Sequence, residues 1–182
     1  MPKKEYVFKI VVIGEVAVGK TSLIKQFMTG TFSVDYKATM GTDIFRKEII
    51  LETGDVVNLT LWDIAGQAIW REYRKVYYQG ANGAIVVFDV TRPPTFNSIR
   101  EYWYQDLVNF LGTQDIPFIL IGNKVDLKHL LRVTEAQAEK LAGDIKAMRL
   151  IFTSAKVGTN VEEAFKTMAA SLVLKVKNAI SA

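Results

Sequence analysis

The 182-residue chain predicts an α/β fold: a mostly parallel sheet covered by helices. Short apolar runs alternate with longer stretches of helical periodicity, the pattern of strand–helix units laid side by side. The longest apolar runs, residues 10–13, 84–88 and 118–121, are strand-sized and far short of the 18 or more needed to cross a membrane. A composition of 49% hydrophobic and 23% charged residues excludes a disordered chain.

Each element follows in order. Residues 6–13 are β-rich and run directly into Gly14. Leu23, Ile24 and Phe27 share one face of a helix over 21–28. Residues 29–41 have little periodicity and read as an exposed loop. Residues 44–51 and 56–62 flank the turn Glu52-Thr53-Gly54-Asp55 and make an antiparallel hairpin. Residues 83–90 form a buried strand stopped by Arg92-Pro93-Pro94. Phe96, Ile99, Trp103, Leu107 and Phe110 recur at three and four, a helix that Gly112 ends. Residues 116–121 are the next buried strand. Thr134 with Gln137 fits a capping box, and Ala138, Leu141, Ala142 and Ile145 continue the stripe. Residues 150–153 are a last short strand, and Thr159 with Glu162 opens a final helix carrying Val161, Phe165, Met168 and Leu172. No repeat or linker interrupts this order, so one domain over 1–182 is expected, with about six strands and five helices.

Composition removes whole classes of function. The chain has no cysteine, which excludes disulfides, thiolate metal sites, cysteine nucleophiles and cysteine-borne lipids. The lone histidine, His129, cannot build a zinc site and reads as an exposed loop residue. A net charge of +4 is too small to argue for nucleic acid without a patch. The N-terminus lacks a signal peptide's apolar core, and a cytoplasmic protein is expected.

Chemistry enters with Gly14-Glu15-Val16-Ala17-Val18-Gly19-Lys20-Thr21, a complete phosphate-binding loop pattern between a predicted strand and a predicted helix. Glycines let the backbone wrap a phosphate with successive N–H groups pointing inward, beside the positive end of a helix. Lys20 would lie against the β- and γ-phosphates, and the Thr21 hydroxyl would bind Mg²⁺. Asn123-Lys124-Val125-Asp126 follows the strand over 116–121, at the carboxyl edge where ligands sit in such sheets. A carboxylate there can accept from both the ring N–H and the exocyclic amine of guanine, donors that adenine does not offer in that arrangement. Such a site rejects the wrong base by about 10⁴-fold or more.

Thr39-Met40-Gly41, Asp63-Ile64-Ala65-Gly66-Gln67 and Thr153-Ser154-Ala155-Lys156 complete five motifs whose order resembles the Ras superfamily of small GTPases, and within it the Rab branch. The resemblance covers essentially the whole chain. It implies a P-loop NTPase fold, α/β, with a six-stranded mostly parallel sheet, one antiparallel strand and about five flanking helices. It implies GTP or GDP as ligand with Mg²⁺, the phosphates held by Val16, Ala17, Val18, Gly19, Lys20, Thr21 and Ser22. Thr39 would complete the Mg²⁺ shell, Asp63 would hold it through water, the Gly66 N–H would bind the γ-phosphate, and Gln67 would orient the attacking water. Asn123, Lys124, Asp126, Ser154, Ala155 and Lys156 would form the guanine site, the Ala155 N–H directed at the base oxygen. Phe32 falls where the family sets a ring against guanine, and Tyr36 where a tyrosine covers the phosphates. Trp62 and Tyr77 occupy two positions of the Rab aromatic triad, and Ile44 stands at the third, where phenylalanine is usual.

Three departures matter. Val16 replaces a glycine, serine or alanine beside the γ-phosphate, in the path of an incoming arginine; Ala17 has a parallel in Rho proteins. Ala68 replaces the glutamate that takes part in exchange-factor action. The C-terminal helix runs through Lys175 and Lys177, read as a solvated helix end, without the usual cysteines. Either a tail is missing or the protein carries no lipid, so membrane association is left open, peripheral at most and only with a tail or adaptor. No arginine is evidently placed as a finger in cis, which implies slow intrinsic hydrolysis. The expectation is a monomeric GTP/GDP switch that meets effectors and activating and exchange proteins through residues 39–51 and 62–78. The rival is a GTP-binding scaffold with little hydrolysis, which Val16 favours; an ATPase or nucleotide kinase is disfavoured by Asp126 and Ala155.

Overall fold

The computed structural model describes residues 4–32, 38–111 and 116–181. Tyr36 and Gly112, named above, lie outside them. Six strands, β1 (Glu5–Ile13), β2 (Thr42–Ile50), β3 (Val56–Ile64), β4 (Gly83–Asp89), β5 (Phe118–Asn123) and β6 (Arg149–Thr153), form one sheet in the order β2-β3-β1-β4-β5-β6. Only the β2–β3 pair is antiparallel, with Ile44 opposite Trp62; the others run parallel. Helices cover both faces, so inner strands are buried on both sides and read as unbroken apolar runs. Every residue of β4 is buried. β2, at the edge, is mostly exposed.

Five helices are present among the described residues. They are α1 (Lys20–Thr29), α2 (Arg71–Tyr78), α3, α4 (Glu135–Asp144) and α5 (Val161–Ser181), where α3 runs unbroken through Pro93–Ser98, a π-helical turn Ile99–Trp103 and Tyr104–Leu111. Alternation along β1 divides the core in two. Ile10 and Val12 pack with Leu23 and Phe27 of α1 and Phe165 of α5; Val11 and Ile13 pack with Tyr78 of α2, Trp103 of α3 and Leu141 of α4. The expected capping box is present: the Gln137 N–H donates to Thr134 Oγ1 at 3.2 Å and the Thr134 N–H to Gln137 Oε1 at 2.8 Å.

Four expectations are corrected. β5 starts two residues later than expected, after Pro117, which has no N–H to offer a ladder. It also runs on to Asn123, paired with Asp89 and Thr153. Pro93 and Pro94 open α3 as well as ending the strand before it; a proline costs nothing in a helix's first turn. The box expected on Thr159 does not form, because Asn160 adopts φ 54° and donates its amide to Phe152 O at 2.8 Å. α5 therefore begins at Val161. Lys177 is no solvated helix end. It pairs with Asp55 at 2.6 Å and ties α5 to the β2–β3 turn.

The helix that sequence periodicity does not assign is α2. Its buried positions are Arg74 and Tyr78, so it carries no apolar stripe. Arg74 Nη1 donates to Asp106 Oδ2 of α3 at 2.9 Å, both side chains buried, and its guanidinium lies 4.1 Å from the Trp103 ring centre. Arg71 approaches Asp106 Oδ1 at 3.4 Å from outside. Removing one partner of a buried ion pair strands the other charge, at a cost of about 3–5 kcal/mol. Asp106→Ala should lower unfolding stability by that amount in a denaturant titration. The double replacement Arg74→Met with Asp106→Leu should cost far less, and equal losses would show that packing, and not charge, holds α2 to α3.

Candidate functional site

The loop between β1 and α1 turns at Gly14 (φ +141°) and Gly19 (φ +101°), where side chains cannot fit. A Cβ on Gly14 would fall 2.2 Å from Val87 O, and one on Gly19 would fall 2.3 Å from Asn123 Nδ2. Between them Ala17 also takes a left-handed conformation, φ 61°, which costs an L-residue about 1–2 kcal/mol. Lys20 closes the loop on itself: its Nζ donates to Gly14 O and Glu15 O, both at 2.8 Å. The residue is 6% exposed. Burial lowers its pKa to about 8, against the opposing pull of Asp63 and Glu15. A buried ammonium answered only by carbonyls is a place where an anion is strongly favoured.

Thr21 of α1, Thr39 of the following loop and Asp63 of β3 converge beside Lys20. The Thr21 hydroxyl donates to Asp63 Oδ2, Thr39 Oγ1 donates to the same oxygen at 3.2 Å, and the two hydroxyls lie 3.0 Å apart. Asp63 is fully buried. Burial raises its pKa, with Thr21, Lys20 and Thr39 opposing, and its Oδ1 has no hydrogen-bond partner. Gly66 rests against the loop, so that a Cβ there would lie 2.5 Å from Glu15 C and from Val16 N. Gln67 is half-buried; its carbonyl accepts from Arg74 Nη2 at 3.2 Å.

The third part lies at the ends of β5 and β6. A cavity of about 320 Å³ is lined by Ala17, Gly19, Ser22, Phe32, Asn123, Lys124, Asp126, Leu127, Ala155 and Lys156. Buried Asn123 donates from Nδ2 to Val18 O at 2.9 Å, while its Oδ1 accepts from Thr153 Oγ1 at 3.0 Å and from the Ala155 N–H at 3.1 Å. That N–H, which the resemblance directs at the base, is thus engaged within the protein. Ser154 Oγ donates to Asp126 Oδ1 at 2.6 Å, which aims the carboxylate along the cavity wall. Lys124, at φ 74°, donates to Ala17 O at 2.7 Å and pairs with Asp89 Oδ2 at 2.6 Å.

Lys20, Thr21, Thr39 and Asp63 therefore converge at the start of α1, Gly66 rests against Glu15 and Val16 of the loop, and Ala17 and Gly19 line the cavity that the guanine-motif residues wall. Sequence reasoning missed Asp89, Leu127 and Arg92, whose Nη2 donates to Val16 O at 3.1 Å. Asp89 left a signal, a charge inside an apolar strand run that needs a buried partner. Ile44 and Trp62 face each other across β2 and β3, Lys9 Nζ sits 3.6 Å over the Trp62 ring, and Trp62 and Tyr77 are half-buried against the second core. His129 is exposed in a 3₁₀ turn, Lys128–Leu130.

Comparison with known proteins gives a consistent result. The Ras family model matches residues 9–174. The chain is 40% identical over 176 residues to "Ras-related protein Rab-1" of Theileria parva, covering 97% of this chain and 79% of that protein. It is 34% identical over 172 residues to "Ypt/Rab-type GTPase YPT7" of Saccharomyces cerevisiae, covering 93% and 83%. To "GTP-binding protein YPT1" of the same yeast it is 40% identical over 165 residues, covering 91% and 78%.

Asp89 gives the site a pH signature. Burial pushes its carboxyl up, but Lys124 and Thr91 outweigh that and hold it below the usual range. A carboxylate with a depressed folded pKa stabilises the fold above its unfolded value near 3.9 and loses that contribution as pH falls through the folded value. Asp89→Asn should therefore be less stable than the unmodified protein at pH 7, by roughly 1–3 kcal/mol. The gap should narrow below about pH 4. A gap independent of pH in urea titrations would show that the Lys124 pair contributes nothing through charge.

Proposed function

The chain belongs to the Ras family, and we propose that it works as a Rab-like small GTPase through the site built on the 14–21 loop. It binds guanine nucleotide and hydrolyses GTP to GDP. One observation carries the reading: a buried Lys20 ammonium inside the 14–21 loop and a serine-aimed Asp126 lie along the same carboxyl edge of one sheet. The first calls for phosphate and the second for a base bearing two adjacent donors.

Inward N–H groups of residues 17–21 and the Lys20 ammonium bind the phosphates, and the Asp126 carboxylate accepts from the guanine ring N–H and amine. Lys124 and Phe32 wall the base cavity, with Ser22, Ser154, Ala155 and Lys156 around it. The hydroxyls of Thr21 and Thr39 would ligate Mg²⁺ and Asp63 would hold it through water, an oxygen set that suits a hard dication whose remaining positions phosphate and water fill. Asp63 Oδ2 takes both hydroxyls, and its buried Oδ1 has no hydrogen-bond partner among the described residues. When bound, Mg²⁺ neutralises charge on the β- and γ-phosphates. Gln67 orients the water for in-line attack, the Gly66 N–H holds the γ-phosphate, and Lys20 stabilises the charge that develops on the bridging and terminal oxygens.

Effectors and regulators meet the segments 39–51 and 62–78. Met40, Ile44, Ile69, Tyr73 and Val76 are exposed there, an apolar surface of the kind that marks partner binding. The protein acts as a monomeric cytoplasmic switch in membrane trafficking or signalling, and it meets cytosolic membrane faces only through a tail or adaptor. No helix among the described residues is long and apolar enough to cross a membrane.

Asp126→Asn exchanges an acceptor edge for an amide, so GTP affinity should fall by about 1.5–3 kcal/mol and xanthine nucleotides should gain. Competition among GTP, ATP and XTP tests this, and equal ATP and GTP affinity in the unmodified protein would remove the guanine assignment. Val16 crowds the space that water, Gln67 and an incoming arginine must share. Val16→Gly should leave GTP affinity within a few-fold and raise turnover with an activating protein, since an arginine finger is worth about 10³–10⁵-fold where it can enter. Equal stimulated rates in single-turnover assays would show the valine accommodated. Negligible hydrolysis by both proteins would favour the GTP-binding scaffold.

A further inference from the structure

Five consecutive carbonyls of the loop each accept a side-chain hydrogen bond. Lys20 takes Gly14 O and Glu15 O at 2.8 Å, Arg92 takes Val16 O at 3.1 Å, Lys124 takes Ala17 O at 2.7 Å, and Asn123 takes Val18 O at 2.9 Å. Lys20 and the Asn-Lys-x-Asp residues already have a place in nucleotide binding. Arg92 has none, and it comes from the β4–α3 connection, 76 residues along the chain.

The peptide bonds here are trans, so each carbonyl points opposite to the N–H of the same peptide. A donor that grips the Val16 carbonyl from outside the loop therefore turns the Ala17 N–H inward, toward the phosphates. The grip is needed most at this peptide. Ala17 sits at φ 61°, where any residue but glycine is disfavoured. The Arg92 backbone is itself fixed: its N–H donates to Asp89 O at 3.0 Å, its carbonyl accepts from Thr95 Oγ1 at 2.8 Å, and Pro93 follows.

We propose that Arg92 is a positioning residue for nucleotide binding, clamping the Val16–Ala17 peptide so that the Ala17 N–H meets phosphate despite the strain at Ala17. The proposal rests on the reading that the loop holds the phosphates of a guanine nucleotide. It is distinct from a finger role, because the guanidinium engages the carbonyl side of the loop and acts through the backbone.

Dissociation of fluorescently labelled GDP, followed by displacement with excess GDP, tests it in the unmodified protein, Arg92→Ala, Arg92→Lys, Ala17→Gly and the double variant Arg92→Ala with Ala17→Gly. Arg92→Ala should release GDP about tenfold faster, as expected for losing a charge-assisted hydrogen bond, and Arg92→Lys should recover part of that. Glycine accepts the left-handed conformation freely, so in the Ala17→Gly background the loss of Arg92 should cost less than about threefold. Single-turnover hydrolysis of bound GTP should stay within about twofold in Arg92→Ala. An equal release rate in Arg92→Ala would overturn the proposal. So would an effect that is undiminished in the Ala17→Gly background, which would mean simple charge attraction, or a drop confined to the hydrolysis step, which would mean a finger in cis. Failure of the unmodified protein to bind GDP would instead remove the functional reading on which the proposal stands.

Discussion

The side-chain amide of Asn123 is the interaction on which the site's assembly depends. It stands at the end of β5 and holds the loop after β1 through Val18 O and the loop after β6 through Thr153 and Ala155. Both ends of the amide are used, and the residue is buried, so no water can substitute for a lost partner. A buried amide left half-satisfied costs more than the bond it forms when paired. The arrangement also explains Gly19. Any side chain there would occupy the position of Asn123 Nδ2, so the glycine serves the approach of the amide as much as the curvature of the loop. The loop after β1 and the segment at the end of β6 are thereby held in register with one another.

That registration brings together charges that the fold alone does not need. Burial drives the Lys20 ammonium toward neutrality, to about 8, and it drives the Asp63 carboxyl up toward protonation. The two oppose each other's shifts, yet Lys20 spends its donors on carbonyls and Asp63 takes hydroxyls. A polyphosphate with a dication would relieve both penalties together. Such binding would stabilise the folded chain by mass action. Sequestration of this sort is tolerable because two separate apolar cores flank the sheet and leave its carboxyl edge free to specialise.

The parts of this that were legible in the sequence are those whose signal is local. The 14–21 loop is contiguous, the Thr134 box spans a single turn, and the inner strands announce burial on both faces by unbroken apolar runs. The Asn-Lys-x-Asp and Thr-Ser-Ala-Lys motifs were readable because each is a short contiguous segment. What stayed hidden depends on distant partners. α2 has no apolar stripe because one of its two buried positions is an arginine satisfied by Asp106, 32 residues away. Arg92 looks like a surface charge until β4 ends beside the first loop. The Thr159 box failed for a competing local reason, the left-handed Asn160 held by Phe152 O. β5 shifted because Pro117 removes a ladder donor that hydrophobicity cannot reveal.

Val16 is held on two sides. Arg92 grips its carbonyl from the outer side of the loop, and Gly66 lies against its nitrogen with no room for a Cβ. The next residue, Gln67, is tied through its carbonyl to Arg74, and Arg74 is locked to Asp106 and Trp103 of α3. A group entering the mouth beside Val16 therefore presses on Gly66, and any response of Gly66 must either stretch or move the Arg74 connection. Arg74 is buried and paired, so its end is the stiff one. The 3₁₀ turn Ala68–Trp70 that leads into α2 carries the exposed Ile69 and lies between these two anchors. Rearrangement should then concentrate in residues 66–70, between the 14–21 loop at one end and α3 at the other, and it would carry the exposed Ile69 with it.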